Sequence, residues 1–84
     1  MKIVFTKHAS KKFSDFKDFG IIITQLQVKN VVLKSKYNLS DNGNKISASS
    51  FNENHNLRVV YKEEKGDIII ITFYIYKKGR YGEY

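Results

Sequence analysis

The chain has 84 residues, with 15 Lys+Arg against 8 Asp+Glu, a formal net charge of +7, and no Cys, Pro or Trp. The length fits one domain over 1–84, and the lack of cysteine excludes a disulfide scaffold, a thiolate metal site and a cysteine nucleophile. A clustered hydrophobic content of 42% excludes a disordered chain, and no apolar run reaches the ~18 residues of a membrane-spanning helix.

Lys2 to Thr6 reads as a short strand around Ile3, Val4 and Phe5. A helix should begin at Thr6 or Lys7, because Ala9, Phe13 and Phe16 recur at spacings of four and three. Lys11, Lys12 and Lys17 are offset from that stripe and are expected to face solvent. Gly20 should end the helix near Phe19. Ile21-Ile22-Ile23 fits either a strand or a lead-in to a second helix. Thr24 is a candidate N-cap, and the spacing of Leu26, Val28, Val31 and Val32 predicts a helix over 24–35.

Lys36 to Asn44 reads as a loop, since Asp41-Asn42-Gly43-Asn44 favours a turn. Three strands should follow. Lys45–Phe51 alternates loosely. Leu57–Lys62 sets Leu57, Val59 and Tyr61 on one face and Arg58, Val60 and Lys62 on the other. Asp67–Tyr76 is apolar on both faces and should be central. The turn at Glu63–Asp67 makes the last two an antiparallel hairpin. The expected order is β-α-α-β-β-β. The expected class is α+β, with two N-terminal helices packed on a mostly antiparallel four-stranded sheet. The other face of the sheet is left partly open for a site.

The charge is uneven. Residues 1–36 carry eight lysines against Asp15 and Asp18, net +6, whereas residues 37–84 carry net +1. Such a balance attracts polyanions. Met1 to His8 has no long apolar stretch ending in small residues, so no signal peptide and a cytoplasmic location are expected.

Metal chemistry is not indicated. His8 and His55 lie far apart with no paired ligand spacing, and the Glu63-x-Lys65 spacing falls in a turn. No Gly-rich phosphate loop and no nucleophile elbow is present. No cofactor is expected. What remains is a basic and aromatic set: His8, Lys12, Arg58, Tyr61, Tyr74, Tyr76, Lys77, Lys78, Arg80, Tyr81 and Tyr84. Such groups suffice for RNA cleavage without a metal. A base removes the 2′-OH proton, an acid protonates the departing 5′-oxygen, and cations hold the phosphorane charge.

The short first strand into His8-Ala9, Lys12 one turn on, Leu57-Arg58-Val59-Val60-Tyr61, Ile70-Ile71-Thr72-Phe73-Tyr74 and the tail Lys77-Lys78-Gly79-Arg80-Tyr81 resemble the RelE/BrnT-like toxin superfamily. The resemblance runs over nearly the whole chain through short, degenerate motifs. It implies a microbial-ribonuclease-type fold and a metal-independent mRNA interferase activity, silenced by an antitoxin. It implies that His8 is an acid/base group and that Arg58 stabilises the phosphorane. Arg80 and Tyr81, with Lys77 and Lys78, would bind phosphate or assist proton transfer. Lys11 and Lys12 stand where such chains often carry arginine, and Lys11, Lys12, Tyr74, Lys77 and Lys78 are the expected RNA-binding set. The expected partners are RNA and an acidic antitoxin protein, with no membrane, and a monomer or weak homodimer. Two alternatives stand beside the endoribonuclease: a non-catalytic nucleic-acid-binding module, and a protein-interaction module with a basic face.

Overall fold

The structure, a computed structural model, describes residues 2–34, 37–41 and 43–79. The elements are β1 (Ile3–Phe5), α1 (Lys7–Asp18), α2 (Gln25–Lys34), β2 (Tyr37–Asp41), β3 (Asn44–Ser50), β4 (His55–Glu64) and β5 (Asp67–Lys77). One sheet holds the strands in the order β1-β5-β4-β3-β2. β1 runs parallel to β5, and every other neighbouring pair is antiparallel. The α+β class, the two leading helices, the mostly antiparallel sheet and the central β5 are those expected. The sheet has five strands rather than four. The extra one, β2, lies in the stretch read as a loop. It pairs residue for residue with β3, from Tyr37 opposite Ala48 to Asp41 opposite Asn44. An edge strand of this kind is held by backbone hydrogen bonds, so its polar sequence gives no period-two signal.

Local chemistry sets each helix. Thr6 caps α1, its Oγ1 accepting from the Ala9 N–H at 3.1 Å. α1 ends in a Schellman motif. The Ile21 N–H donates to the Phe16 carbonyl and the Gly20 N–H to the Lys17 carbonyl, both at 2.9 Å. Gly20 holds the left-handed φ of +79° that this motif requires. α2 starts with a capping box. The Thr24 N–H donates to Gln27 Oε1 at 2.8 Å, and the Gln27 N–H donates to Thr24 Oγ1 at 3.1 Å. Ile23 and Val28, either side of that cap, are both buried in the core. Ile21-Ile22-Ile23 is thus a non-helical lead-in, with Ile23 as its anchor.

Both helices cover one face of the sheet, here the inner face. α1 lies over β5 and β1, and α2 over β4 and β3. Ala9, Val28 and Val31 meet Leu57, Val59, Tyr61, Ile68, Ile70 and Phe73 there. Phe73 is fully buried, its ring 4.7 Å from Phe13 and 6.0 Å from Phe16.

β5 carries a bulge. Val60 lies opposite Thr72 but Tyr61 lies opposite Ile70, so Ile71 is an extra residue. Its carbonyl accepts from Thr6 Oγ1 at 3.1 Å, and the Ile70 carbonyl accepts from the Thr6 N–H at 3.0 Å. The residue that caps α1 therefore also fastens that helix to the sheet.

The β4–β5 hairpin closes through Lys65 and Gly66, at φ 52° and 82°. A two-residue turn with both central residues left-handed matches the twist of its strands, but it suits Asn and Gly better than Lys. Lys65→Asn is expected to stabilise the fold by about 0.5–1 kcal/mol, read as a higher Tm in thermal circular dichroism. An unchanged or lowered Tm would refute the turn assignment. Among the described residues no helix is long and apolar enough to cross a membrane.

Candidate functional site

The outer face of the sheet, turned away from the helices, is set by register. Leu57, Val59 and Tyr61 point inward, so Asn56, Arg58 and Val60 point outward. Arg58 lies opposite Tyr74 on β5 and opposite Ala48 on β3. Asn56 lies opposite Tyr76 and Ser50. The outer face thus gathers one arginine, one carboxamide and two phenols on two adjacent strands.

Their contacts agree with that placement. The Arg58 guanidinium carbon lies 5.9 Å from the centroid of the Tyr76 ring, within cation–π range. The Tyr74 and Tyr76 rings are 6.4 Å apart and tilted by 54°. Asn56 Nδ2 donates to the Tyr76 hydroxyl at 3.5 Å, a long contact. Arg58 is 8% exposed and Tyr76 3%. The guanidinium is therefore a fixed charge just under the surface, and Tyr74, half-buried, is the more accessible ring. A charge held in a low-dielectric wall acts strongly on whatever binds above it.

The residues singled out in the sequence separate into groups. Arg58 and Tyr74 come together as cross-strand partners. Lys77 ends β5 opposite His55, and the Lys78 N–H donates to the Asn54 carbonyl at 2.9 Å. Both lysines therefore stand at the end of the sheet that carries Asn56 and Tyr76. His8, Lys11 and Lys12 belong to α1, in the layer on the opposite side of the sheet from Arg58. His8 and Lys11 are exposed. Lys12 is half-buried rather than solvent-facing, with its ammonium 5.2 Å from the Phe16 ring centroid. Arg80 and Tyr81 lie outside the described residues. The structure thus joins Arg58 with Tyr74 and Tyr76 but does not bring His8 to them.

Asn56 was missed in the sequence, although its alternation with Arg58 along β4 already places the two on one face. Tyr61 turns inward, and the Ser47 hydroxyl donates to its oxygen at 3.2 Å, so it is a core residue. Lys45 lies near the hairpin end, with Nζ 2.7 Å from Glu63 Oε1. That hydrogen bond holds its ammonium above the ordinary lysine value. The raised value means that any stability it adds is complete at neutral pH and fades only as alkaline pH removes the proton. Among the described residues no three His, Cys, Asp or Glu come together as metal ligands. In comparison with known proteins, the chain matches no family model, no curated protein and no solved structure.

Proposed function

We propose that this chain acts on single-stranded RNA through the outer face of its sheet, as a metal-independent domain of toxin type. The observation that carries this reading is Arg58 set beside Tyr74 and Tyr76, with Lys77 and Lys78 at the sheet end. Cations there meet phosphates, and a phenol ring offers a face to an unpaired base. In the endoribonuclease form of the proposal, the ribose 2′-oxygen attacks the adjacent phosphorus and the 5′-oxygen leaves. One proton passes from the 2′-OH to a base, and one is delivered to the leaving oxygen. Arg58 stabilises the charge on the phosphorane between these steps.

A second reading, RNA binding without scission, is favoured by one observation. His8 sits in the helix layer, and a phenol, which ordinarily titrates near about 10, is a weak base at neutral pH. An acidic partner protein belongs to either reading. It would be met by the helix layer, where Phe19, Ile22, Leu26 and Leu33 are exposed on elements that also carry Lys12, Lys17 and Lys29.

Incubation of pure protein with single-stranded RNA in EDTA separates these outcomes. Binding that weakens steeply with salt is expected. Products ending in 2′,3′-cyclic phosphate establish the endoribonuclease, and intact RNA at saturating protein establishes the binder. His8→Ala is expected to leave either behaviour unchanged. Loss of activity in that variant would overturn the assignment to the outer face.

A further inference from the structure

A groove of about 230 Å³ lies between α2 and the ends of β3 and β4. Asn30 and Lys34, four residues apart on α2, share the stripe that lines it. Ser49 lines it from β3. Val31 and Leu57, both buried, give it apolar surface, and half-buried Phe51 adds an aromatic ring. The loop that carries Phe51 is pinned. The Phe51 N–H donates to the His55 carbonyl at 2.9 Å. Asn52 Oδ1 accepts from the N–H groups of Asn54 at 2.9 Å and His55 at 2.8 Å.

Three polar side chains of this groove are unspent. Among the described residues, those of Asn30, Lys34 and Ser49 have no hydrogen-bond or ion-pair partner. Asn30 and Ser49 are half-buried, and their polar atoms stay open to solvent, so a ligand entering the groove can take them in place of water. A carboxamide offers donor and acceptor side by side, the pattern that matches a nucleobase edge. The aromatic ring offers a stacking surface, and the ammonium a phosphate contact. The volume falls below the roughly 300–1,000 Å³ of drug-sized pockets, so a single ring is the fitting occupant.

We infer that this groove takes one unstacked nucleobase of a bound RNA strand, with an adjoining phosphate on Lys34. The inference rests on the RNA reading of the outer face and adds a second contact to it. The two sites are neighbours. Ser50 stands in the outer-face row with Asn56 and Tyr76, and Ser49, in the groove, is the next residue along β3. A strand crossing that row reaches the groove over the end of the sheet.

The test compares the full chain's affinity for a labelled single-stranded RNA and for an abasic ribose-phosphate chain of equal length, by fluorescence anisotropy. The wild type is expected to favour the RNA by about a hundredfold, roughly tenfold for a base in the groove and tenfold for one on the outer face. Asn30→Leu, which keeps a good helix former, is expected to narrow that gap by about tenfold while still binding the abasic chain. Phe51→Ala gives a second, independent reading of the same gap. If both variants keep the full preference, the groove assignment is overturned and the outer-face reading stands; if the wild type binds both chains equally, base stacking is overturned at both places and the outer face keeps only its phosphate contacts. If the wild type binds neither chain at low salt, the RNA reading itself is overturned, and the groove assignment with it.

Discussion

Phe73→Ala is expected to destabilise the protein by about 3–5 kcal/mol, the range for a truncated buried phenylalanine. The residue is fully buried and is the meeting point of the two layers, with Phe13 and Phe16 packed on it from α1 and Val59 across from it on β4. Truncation leaves a cavity under both α1 rings and removes two aromatic contacts at once. A domain of this size holds only about 4–13 kcal/mol in all, so the loss is a large share of the total. Thermal circular dichroism should show Tm falling by more than about 15 °C. Phe19→Ala is the control: that ring is 83% exposed, and its loss should cost less than about 0.5 kcal/mol. Equal effects at the two positions would refute the placement of the core.

Arg58→Met should lower affinity for single-stranded RNA by about tenfold to a hundredfold, as expected for losing a charge-assisted contact. Methionine keeps an unbranched stem beside the Tyr76 ring, so the variant tests charge more than packing. Losing one phosphate contact should also reduce the log–log slope of affinity against salt by about one. Anisotropy titrations over a range of KCl concentrations give both quantities. Unchanged affinity with an unchanged slope would remove Arg58 from the site. Circular dichroism of the variant separates that result from unfolding.

Most of the fold was legible because its signals are side-chain signals. Ala9, Phe13 and Phe16 marked the inward stripe of α1, Thr24 marked the start of α2, and Glu63–Asp67 marked the hairpin. β2 was not legible, because Tyr37–Asp41 joins the sheet through backbone pairing and its Asn, Ser and Asp favour turns when read alone. The site was legible in part. Charge and residue type pointed to Arg58 and the tyrosines. Which layer His8 occupies depends on how the helices close over the sheet, and the spacing of residues along one chain does not encode that.

The extra residue in β5 has a consequence for the outer face. Counted straight back from the hairpin turn, where Glu64 meets Asp67, Arg58 would face Phe73. Ile71 shifts the outer half of β5 by half a period, and Arg58 faces Tyr74 instead. The same phase shift turns Phe73 toward the helices, and leaves Tyr74 and Tyr76 on the side of the arginine. One unpaired residue, held by a threonine hydroxyl, therefore decides which aromatic rings become core and which become site. Were Ile71 paired in a regular ladder instead, the same rings would have their roles exchanged.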